Sequence, residues 1–498
     1  MNPNLGFVGW LRWFWRQLTS MRTALLLLLL LAIAAVPGSL VPQRSSDPNG
    51  VSQYFADHKD TAPILDSFQM FDVYSSAWFS AIYILLFISL IGCVLPRTKH
   101  HFDALKAQPP TTPANLRRLP AFAEFTVTGS TAEAVLEAGR SALKSERYRV
   151  ARYDRGDTIT VSAERGYMRE TGNLVFHFAL VGVLIAVGFG GGFGFAGQRA
   201  IYEGQAFTNS LIAFDSFNPG RFFDSSTLTP YSITLDKFTA TYEEHNTNAI
   251  GQPTDYTAEV TTQIKGQEPQ KNTIKVNEPL RIAGTDVYLL GNGYAPTVTI
   301  RDPEGNVIFT DSVEFLPQDK NLTSLGVIKL PDGLAEQLGL IGFFYPTVSS
   351  GHSGASFSMY PDLIDPQLAF DVYAGDLGLD DGVPRSVFAL DTKGMTKLAG
   401  RNSDREAIEL KPGESAELPN GLGTVTFDGV KRFVSLDIHR DPTQGWVLLF
   451  ALSALAGLLI SLFIPRRRMW VSVTENSVEM TPLSGVPSMP LKTRLNAP

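Results

Sequence analysis

Hydrophobic positions along this chain fall into four long blocks, and between them apolar residues recur only in short runs separated by turn residues. The first block runs from Ala24 to Val41 and includes the unbroken leucines Leu25 to Leu31; the others are Trp78 to Leu95, Leu174 to Phe195 and Trp446 to Ile464. Each holds 18 to 22 residues without one Asp, Glu, Lys or Arg. A helix rises about 1.5 Å per residue, so roughly 20 apolar residues cross the hydrocarbon layer, and a helix satisfies its own backbone there. Four transmembrane α-helices are therefore predicted, at 24–41, 78–95, 174–195 and 446–464. The apolar run Leu338 to Phe344 is only strand-length and predicts part of a soluble core.

The segments between the blocks differ in period. Residues 96–173 predict a small α+β insert, entered through the proline-rich linker Gln108 to Pro113. Ala121 to Val127 alternates like a strand, and Thr131 caps a helical pattern through Lys144. Tyr148 to Tyr153 and Thr158 to Ala163 predict a hairpin around Arg155-Gly156-Asp157. Residues 196–445 predict a large, mostly-β, sandwich-like domain. Its candidate strands are Ser232 to Thr239, Tyr256 to Ile264, Asp286 to Leu290, Thr297 to Arg301, Phe370 to Tyr373 and Gly423 to Phe427. Turn signals stand at Pro303 to Asn306, Pro331 to Gly333 and Asp380 to Gly382. Residues 42–77 read as a loop, with Pro37-Gly38 marking the end of the first span, and 465–498 as a tail.

Charge orients these pieces. Charged residues make up only 18% of the chain, below the roughly 25% of soluble proteins, so the deficit lies in the spans. Arg12, Arg16 and Arg22 precede the first span with no acid among them. The 96–173 insert carries 13 Lys and Arg against nine Asp and Glu, and Arg466, Arg467 and Arg468 follow the fourth span at once. Basic loops stay inside, so residues 1–23, the insert and the tail are expected in the cytoplasm. Loop 42–77 has two basic residues against five Asp, and Gly197 to Gly445 has 19 basic against 33 acidic, so both are expected outside the cytoplasmic membrane. That net charge of −14 excludes nucleic acid as a partner of the outer domain. The long lead with Trp10, Trp13 and Trp15 reads as an interfacial anchor, and the first block as a retained span rather than a cleaved signal. Trp78 and Trp446 fit an outer aromatic belt.

Candidate chemistry is sparse. The lone cysteine, Cys93, forms no intramolecular disulfide, CxxC pair or covalent haem attachment, and it reads as a structural thiol within a span. No P-loop, HExxH or nucleophile elbow is present, so no catalytic residues are assigned. Of seven histidines, His58, His245 and His352 lie in polar, loop-like sequence; His100 and His101 join the basic cluster at the headgroups; His439 stands just outside the fourth span. His177 lies one turn into the third span, where a polar side chain faces inward and takes a partner. Two readings stand open: an interhelical hydrogen bond, or an axial ligand to haem iron.

Several stretches carry a family resemblance. They are Ser20 to Ala24 with Pro37 to Gln43, Ser76 to Phe79 with Cys93 to Arg97, and Gly172 to His177 with the glycines of Gly188 to Gly194. Further on come Val276-Asn277-Glu278-Pro279-Leu280 with Gly284 to Tyr288, and Asp441-Pro442 with Pro465 to Trp470. Together they resemble a ResB-type protein of the System II cytochrome c biogenesis machinery, across all four spans and the outer domain. The resemblance implies a non-autonomous subunit of a cytochrome c haem-lyase complex, paired with a ResC/CcsA-type membrane protein. Such a complex moves haem b across the membrane and supports its thioether attachment to apocytochrome c. A thioredoxin-like thiol reductase acts indirectly, since this chain offers no dithiol. The family's membrane histidine maps onto His177 as the haem-iron ligand, with the second axial ligand expected from the partner. The alternative is a haem-free, membrane-anchored scaffold or receptor with an extracytoplasmic β domain. A transporter fits less well, because the spans hold no paired charges.

Overall fold

The computed structural model describes residues 6–119, 122–126, 131–155, 158–350, 356–379, 388–401, 403, 405–474 and 477–482. It forms two compact units: Met1–Gly190 with Thr443–Pro498, and Gly191–Pro442. The predicted turns at Gly156-Asp157 and Asp380 to Gly382, and His352, lie outside the described residues.

In the first unit, α1 (Phe7–Leu18) leads into α2 (Met21–Leu40), whose N-cap Ser20 accepts from the Thr23 amide. Among the described residues four helices are long and apolar enough to cross a membrane: α2, α5 (Ala77–Lys106), α7 (Met168–Phe193) and α8 (Gln444–Phe463). The helix α5 contains its predicted span, whereas α2, α7 and α8 stop one or two residues short of the predicted ends at Val41, Phe195 and Ile464, Phe195 already belonging to a strand. Pro37-Gly38 does not end the first, because α2 runs on to Leu40 with Pro37 inside it. Gly38 is needed for closeness: a Cβ there would stand 2.8 Å from the Tyr74 ring.

Residues 42–77 are structured rather than a bare loop. Helices α3 (Pro48–Asp57) and α4 (Ala62–Ser67) pack around buried Val51, Ala62 and Phe71. Gln43 is buried and locks the segment, its amide donating to Val41 O and Met70 O at 3.0 Å while its oxygen accepts from the Val73 amide at 3.0 Å. Arg44 then pairs with Asp66 and Asp72.

The insert and the tail form one sheet. Its five antiparallel strands run in the order Ala123–Thr126, Ser477–Pro482, Arg467–Val473, Thr158–Arg165, Arg149–Arg155. The tail is thus no free appendage. Met469, Val471 and Val473 alternate onto the face covered by α6 (Ala132–Ser145), where Leu136 and Leu143 bury against Val161 and Ala163. On the other face, Arg149, Glu164 and Arg468 occupy one cross-strand row. Glu164 is 1% exposed and accepts from Arg466 Nε at 2.6 Å, Arg468 Nε at 2.9 Å and the Tyr167 hydroxyl at 2.7 Å. Two of the three arginines that follow the fourth span therefore hold a buried carboxylate. Arg149 stacks over the Tyr167 ring and donates to the carbonyl of Ala107 at 2.5 Å, capping the C-terminal end of α5.

The described residues of the second unit are mostly β, with short 3-10 turns such as Leu211–Ala213 and Ser225–Thr227. Its spine is a ribbon of two 17-residue antiparallel strands, Thr285–Arg301 and Thr424–Arg440. The two predicted strands at 286–290 and 297–301 are one, because two irregularities in register carry the pairing past Leu290 and Asp428. One end of the ribbon buries Val287, Val434, Leu436 and Ile438 in a core with Phe195, Ile233 and Val260. The other buries Tyr294, Val298, Ile300 and Phe427 in a second core with Leu340, Phe344 and Phe370. The strand-length run at 338–344 is the buried strand Leu338–Tyr345. Val276-Asn277 forms a tight turn: Lys275 and Glu278 exchange both backbone hydrogen bonds, and Asn277 takes a left-handed φ of 65°. Ala283-Gly284, both at positive φ, close the next hairpin.

Replacing Glu164 by Ala removes the buried carboxylate that Arg468 and Arg466 share, leaving Arg466 only its 4.0 Å contact with Glu170, a change that typically costs about 3 kcal/mol or more. Limited proteolysis of the membrane-embedded protein is expected to cut Glu164→Ala within 96–173 under conditions where the parent resists. Burial alone would raise the Glu164 carboxyl, but bonds from Tyr167, Arg468 and Arg466 hold it below its ordinary 4.5. Its contribution is therefore complete above about pH 4.5 and is lost as pH falls through the lower folded value. Acid should loosen this sheet in the parent and add nothing in the variant.

Candidate functional site

Polar side chains in the spans find acceptors on neighbouring backbones. Ser89 of α5 donates to Leu18 O at 2.6 Å, and the Cys93 thiol to Thr19 O at 2.7 Å, seating the junction of α1 and α2 on α5. Gly92 makes that approach possible, since a Cβ there would fall 2.1 Å from Thr19 Cγ2. Cys93 is thus half-buried and hydrogen-bonded, as a structural thiol.

Helix α7 is held on two sides. A Cβ on Gly172 would meet Gly457 O of α8 at 2.7 Å, and one on Gly457 would meet the Phe176 amide at 2.6 Å, so backbones touch where both residues are glycine. A Cβ on Gly182 would strike the Phe450 ring at 2.5 Å, and Thr443 Oγ1 donates to Ala186 O at 2.8 Å. On α5, the Tyr83 hydroxyl donates to Leu184 O at 2.5 Å, and His101 Nε2 meets Thr171 Oγ1 at 3.0 Å. These contacts fix the rotation of α7 about its axis.

That rotation places His177. At about 100° per residue it stands roughly 140° from both Gly172 and Gly182, away from the α8 seam, and within about 20° of Leu184. The ring is half-buried, with Phe176 edge-on at a centroid distance of 5.1 Å. Its Nδ1 lies 2.7 Å from the carbonyl of Asn173, one turn earlier. A carbonyl only accepts, so Nδ1 carries the proton and Nε2 carries the lone pair. Among the described residues Nε2 has no hydrogen-bond partner. The hydrogen-bond reading is therefore satisfied by one nitrogen, within the helix rather than across helices. The other nitrogen is left as a metal ligand needs it, oriented by a second-shell carbonyl. The residues present fit one axial bond to haem iron.

The remaining histidines separate clearly. His101 is buried and hydrogen-bonded to Thr171 of α7, where α5 continues beyond its apolar stretch, while His100 beside it is exposed. His58 and His245 are exposed, as expected of solvated loop residues. His439 lies on a strand, its Nε2 2.6 Å from Asp437 Oδ2. No group of three or more His, Cys, Asp or Glu among the described residues could hold a metal ion.

The hydrogen bond to Asp437 raises the affinity of His439 for its proton above the ordinary 6.5, against the opposing effect of burial and with help from the charges of Asp437 and Asp286. Its stabilising contribution is then complete below about pH 6.5 and is lost as pH rises through the higher folded value. The side chain is 44% exposed, so the effect stays below about 1 kcal/mol. Thermal unfolding in detergent should show His439→Gln less stable than the parent at pH 6, with the difference shrinking at alkaline pH. Separately, Gly457→Val overpacks the α7–α8 crossing and should lower stability by about 1–3 kcal/mol at every pH, measured by the same unfolding assay.

Residues 21–489 match the ResB-like family. The chain is 30% identical over 279 residues to the cytochrome c biogenesis protein CcsB of Synechococcus sp. (strain WH7803), covering 54% of this chain and 58% of that protein. It is 24% identical over 303 residues to the same-named protein of a Picosynechococcus species, covering 58% and 60%. With that of Thermosynechococcus vestitus the figures are 25% over 291 residues, 56% and 60%. The chain thus spans about three fifths of the length of these curated relatives.

Proposed function

The chain belongs to the ResB-like family, and on that premise we propose that it is a subunit of a System II complex that moves haem b across the cytoplasmic membrane for attachment to apocytochrome c. The observation that carries this reading is His177: a histidine inside the charge-free stretch of α7 that begins at Leu174, with Nδ1 tied to Asn173 O and Nε2 open. His177 holds the haem iron through Nε2, and the Asn173 carbonyl fixes the tautomer and orients the ring. Bound haem supplies the vinyl groups to which two cysteine thiols add, without net redox change. The apolar helices around His177 exclude water from the macrocycle. A ResC/CcsA-type membrane partner contributes the second axial ligand, since His101 is already engaged with Thr171.

Orientation follows from charge. The basic lead, the insert and the tail lie in the cytoplasm. The insert and tail share one sheet, which is consistent with both being on the same side. His177 is the tenth residue of α7 and near its cytoplasmic end, which suits haem arriving from inside. The Gly191–Pro442 unit then faces outward, and its acidity complements a basic apocytochrome. Its role is to position the polypeptide. A separate thioredoxin-like protein keeps the apocytochrome thiols reduced, because Cys93 is the chain's one cysteine and is tied to Thr19 O.

The test is a visible spectrum of the full chain co-purified with its ResC/CcsA-type partner, beside a His177→Ala version. A Soret band in the parent that is lost or shifted in the variant, and regained with added imidazole, is expected. Parent complex with full partner occupancy and no haem, or haem indifferent to His177→Ala, overturns the assignment and leaves a haem-free scaffold.

A further inference from the structure

The polar face of the ribbon's first end carries a second arrangement of chemical interest. One core-facing side of this sheet is filled by Val287, Ile438 and Phe195. The opposite side shows two cross-strand rows, Asp286–His439–Ala196 and Tyr288–Asp437–Gln198. Asp437 Oδ2 accepts from His439 Nε2 at 2.6 Å, and the Tyr288 ring stands edge-on to the imidazole at 5.8 Å. With Nε2 holding its proton toward the carboxylate, Nδ1 is the basic position, and it has no hydrogen-bond partner among the described residues. Asp286 faces the ring from the paired strand and is itself paired with Arg281 at 3.2 Å; on the other side stands Ala196, which carries no charge and little bulk. The ring is 44% exposed, so a large substrate can reach it.

A bare surface ion pair would explain the Asp437 contact, but the rest of the arrangement is that of a general base. The carboxylate orients the ring and stabilises its cationic form, and the other ring nitrogen is left without a hydrogen-bond partner among the described residues. Ala196 lies in the strand Phe195–Tyr202, the first strand of this unit.

We propose that His439, oriented by Asp437, is the general base that activates the apocytochrome thiols for attachment. This rests on the haem-delivery reading above. His439 Nδ1 takes the proton from a cysteine thiol, and the thiolate sulfur forms a bond to a haem vinyl carbon. The proton returns to the neighbouring vinyl carbon, so each S–H adds across one C=C bond and no oxidant or reductant is consumed. Tyr288 lines the approach. Asp437 is a positioning residue, because it acts through the imidazole.

The experiment uses the full chain with its ResC/CcsA-type partner and a reduced apocytochrome c as probe. Haem occupancy is read from the Soret band, and covalent attachment from haem-stained denaturing gels, between pH 5.5 and 9. His439→Gln should keep the Soret band and lower the attachment rate by about 100-fold or more. Asp437→Asn removes the group that favours the protonated ring, so the acid limb of its pH profile should move to lower pH while the rate falls. Attachment by His439→Gln at the parental rate with the parental pH profile overturns the base and leaves a surface ion pair. Should His177→Ala abolish the Soret band while both dyad variants attach haem normally, only this inference fails. A parent complex with neither haem nor attachment removes the delivery reading and this one with it.

Discussion

The constraint on which the membrane helices depend is that lipid offers no hydrogen bonds. Each polar side chain buried in the spans must find its acceptor inside the protein, and in this chain that acceptor is repeatedly a helix carbonyl. Tyr83, Ser89, Cys93, Thr443 and His177 all donate to backbone oxygens. Donation by a hydroxyl or thiol uses its only proton. A hydroxyl or neutral thiol keeps only weakly basic lone pairs after donating, whereas a neutral imidazole keeps the basic lone pair of its far nitrogen. The same rule that makes the other side chains structural therefore leaves His177 chemically unfinished.

Glycine sets where that unfinished nitrogen points. Gly172 and Gly457 bring two backbones into contact, and any larger side chain at either would push α7 away from α8. With Tyr83 and His101 holding the other side, α7 has little freedom to rotate. At the end beyond the fourth span, Glu164 gathers Arg466, Arg468 and Tyr167, so the exit of α8 and the approach to α7 are joined through one buried carboxylate. Charges that would ordinarily mark only membrane sidedness are here also internal partners, and the two roles are compatible because the sheet forms beyond the apolar stretch.

In the Gly191–Pro442 unit, continuity of one ribbon replaces a disulfide framework. Two strands of 17 residues serve two separate cores, each filled by side chains from one end of the ribbon. This arrangement leaves one strand face near the start of the unit free of core duty, and that face carries His439, Asp437 and Tyr288. A polar row in such a place costs the fold little, so its residues are available for chemistry.

The sequence alone determined the four apolar helices and the β character of the middle region, and it singled out His177 as a histidine within an apolar run. Each rests on a local property: absence of charge over 18 to 22 residues, alternation, or a lone ionisable group in an apolar run. What the tertiary structure decided is pairing between distant segments. The tail strand Arg467–Val473 alternates visibly, yet nothing local says that its partner lies some 300 residues earlier at Thr158–Arg165. The ribbon strands were read short because Leu290 and Asp428 break the period that marks a strand, while a bulge absorbs each break once the partner is present. Gln43, His101 and the His439–Asp437 dyad were missed for the same physical reason: a hydrogen bond needs two groups within about 3 Å, and sequence records only one of them at a time.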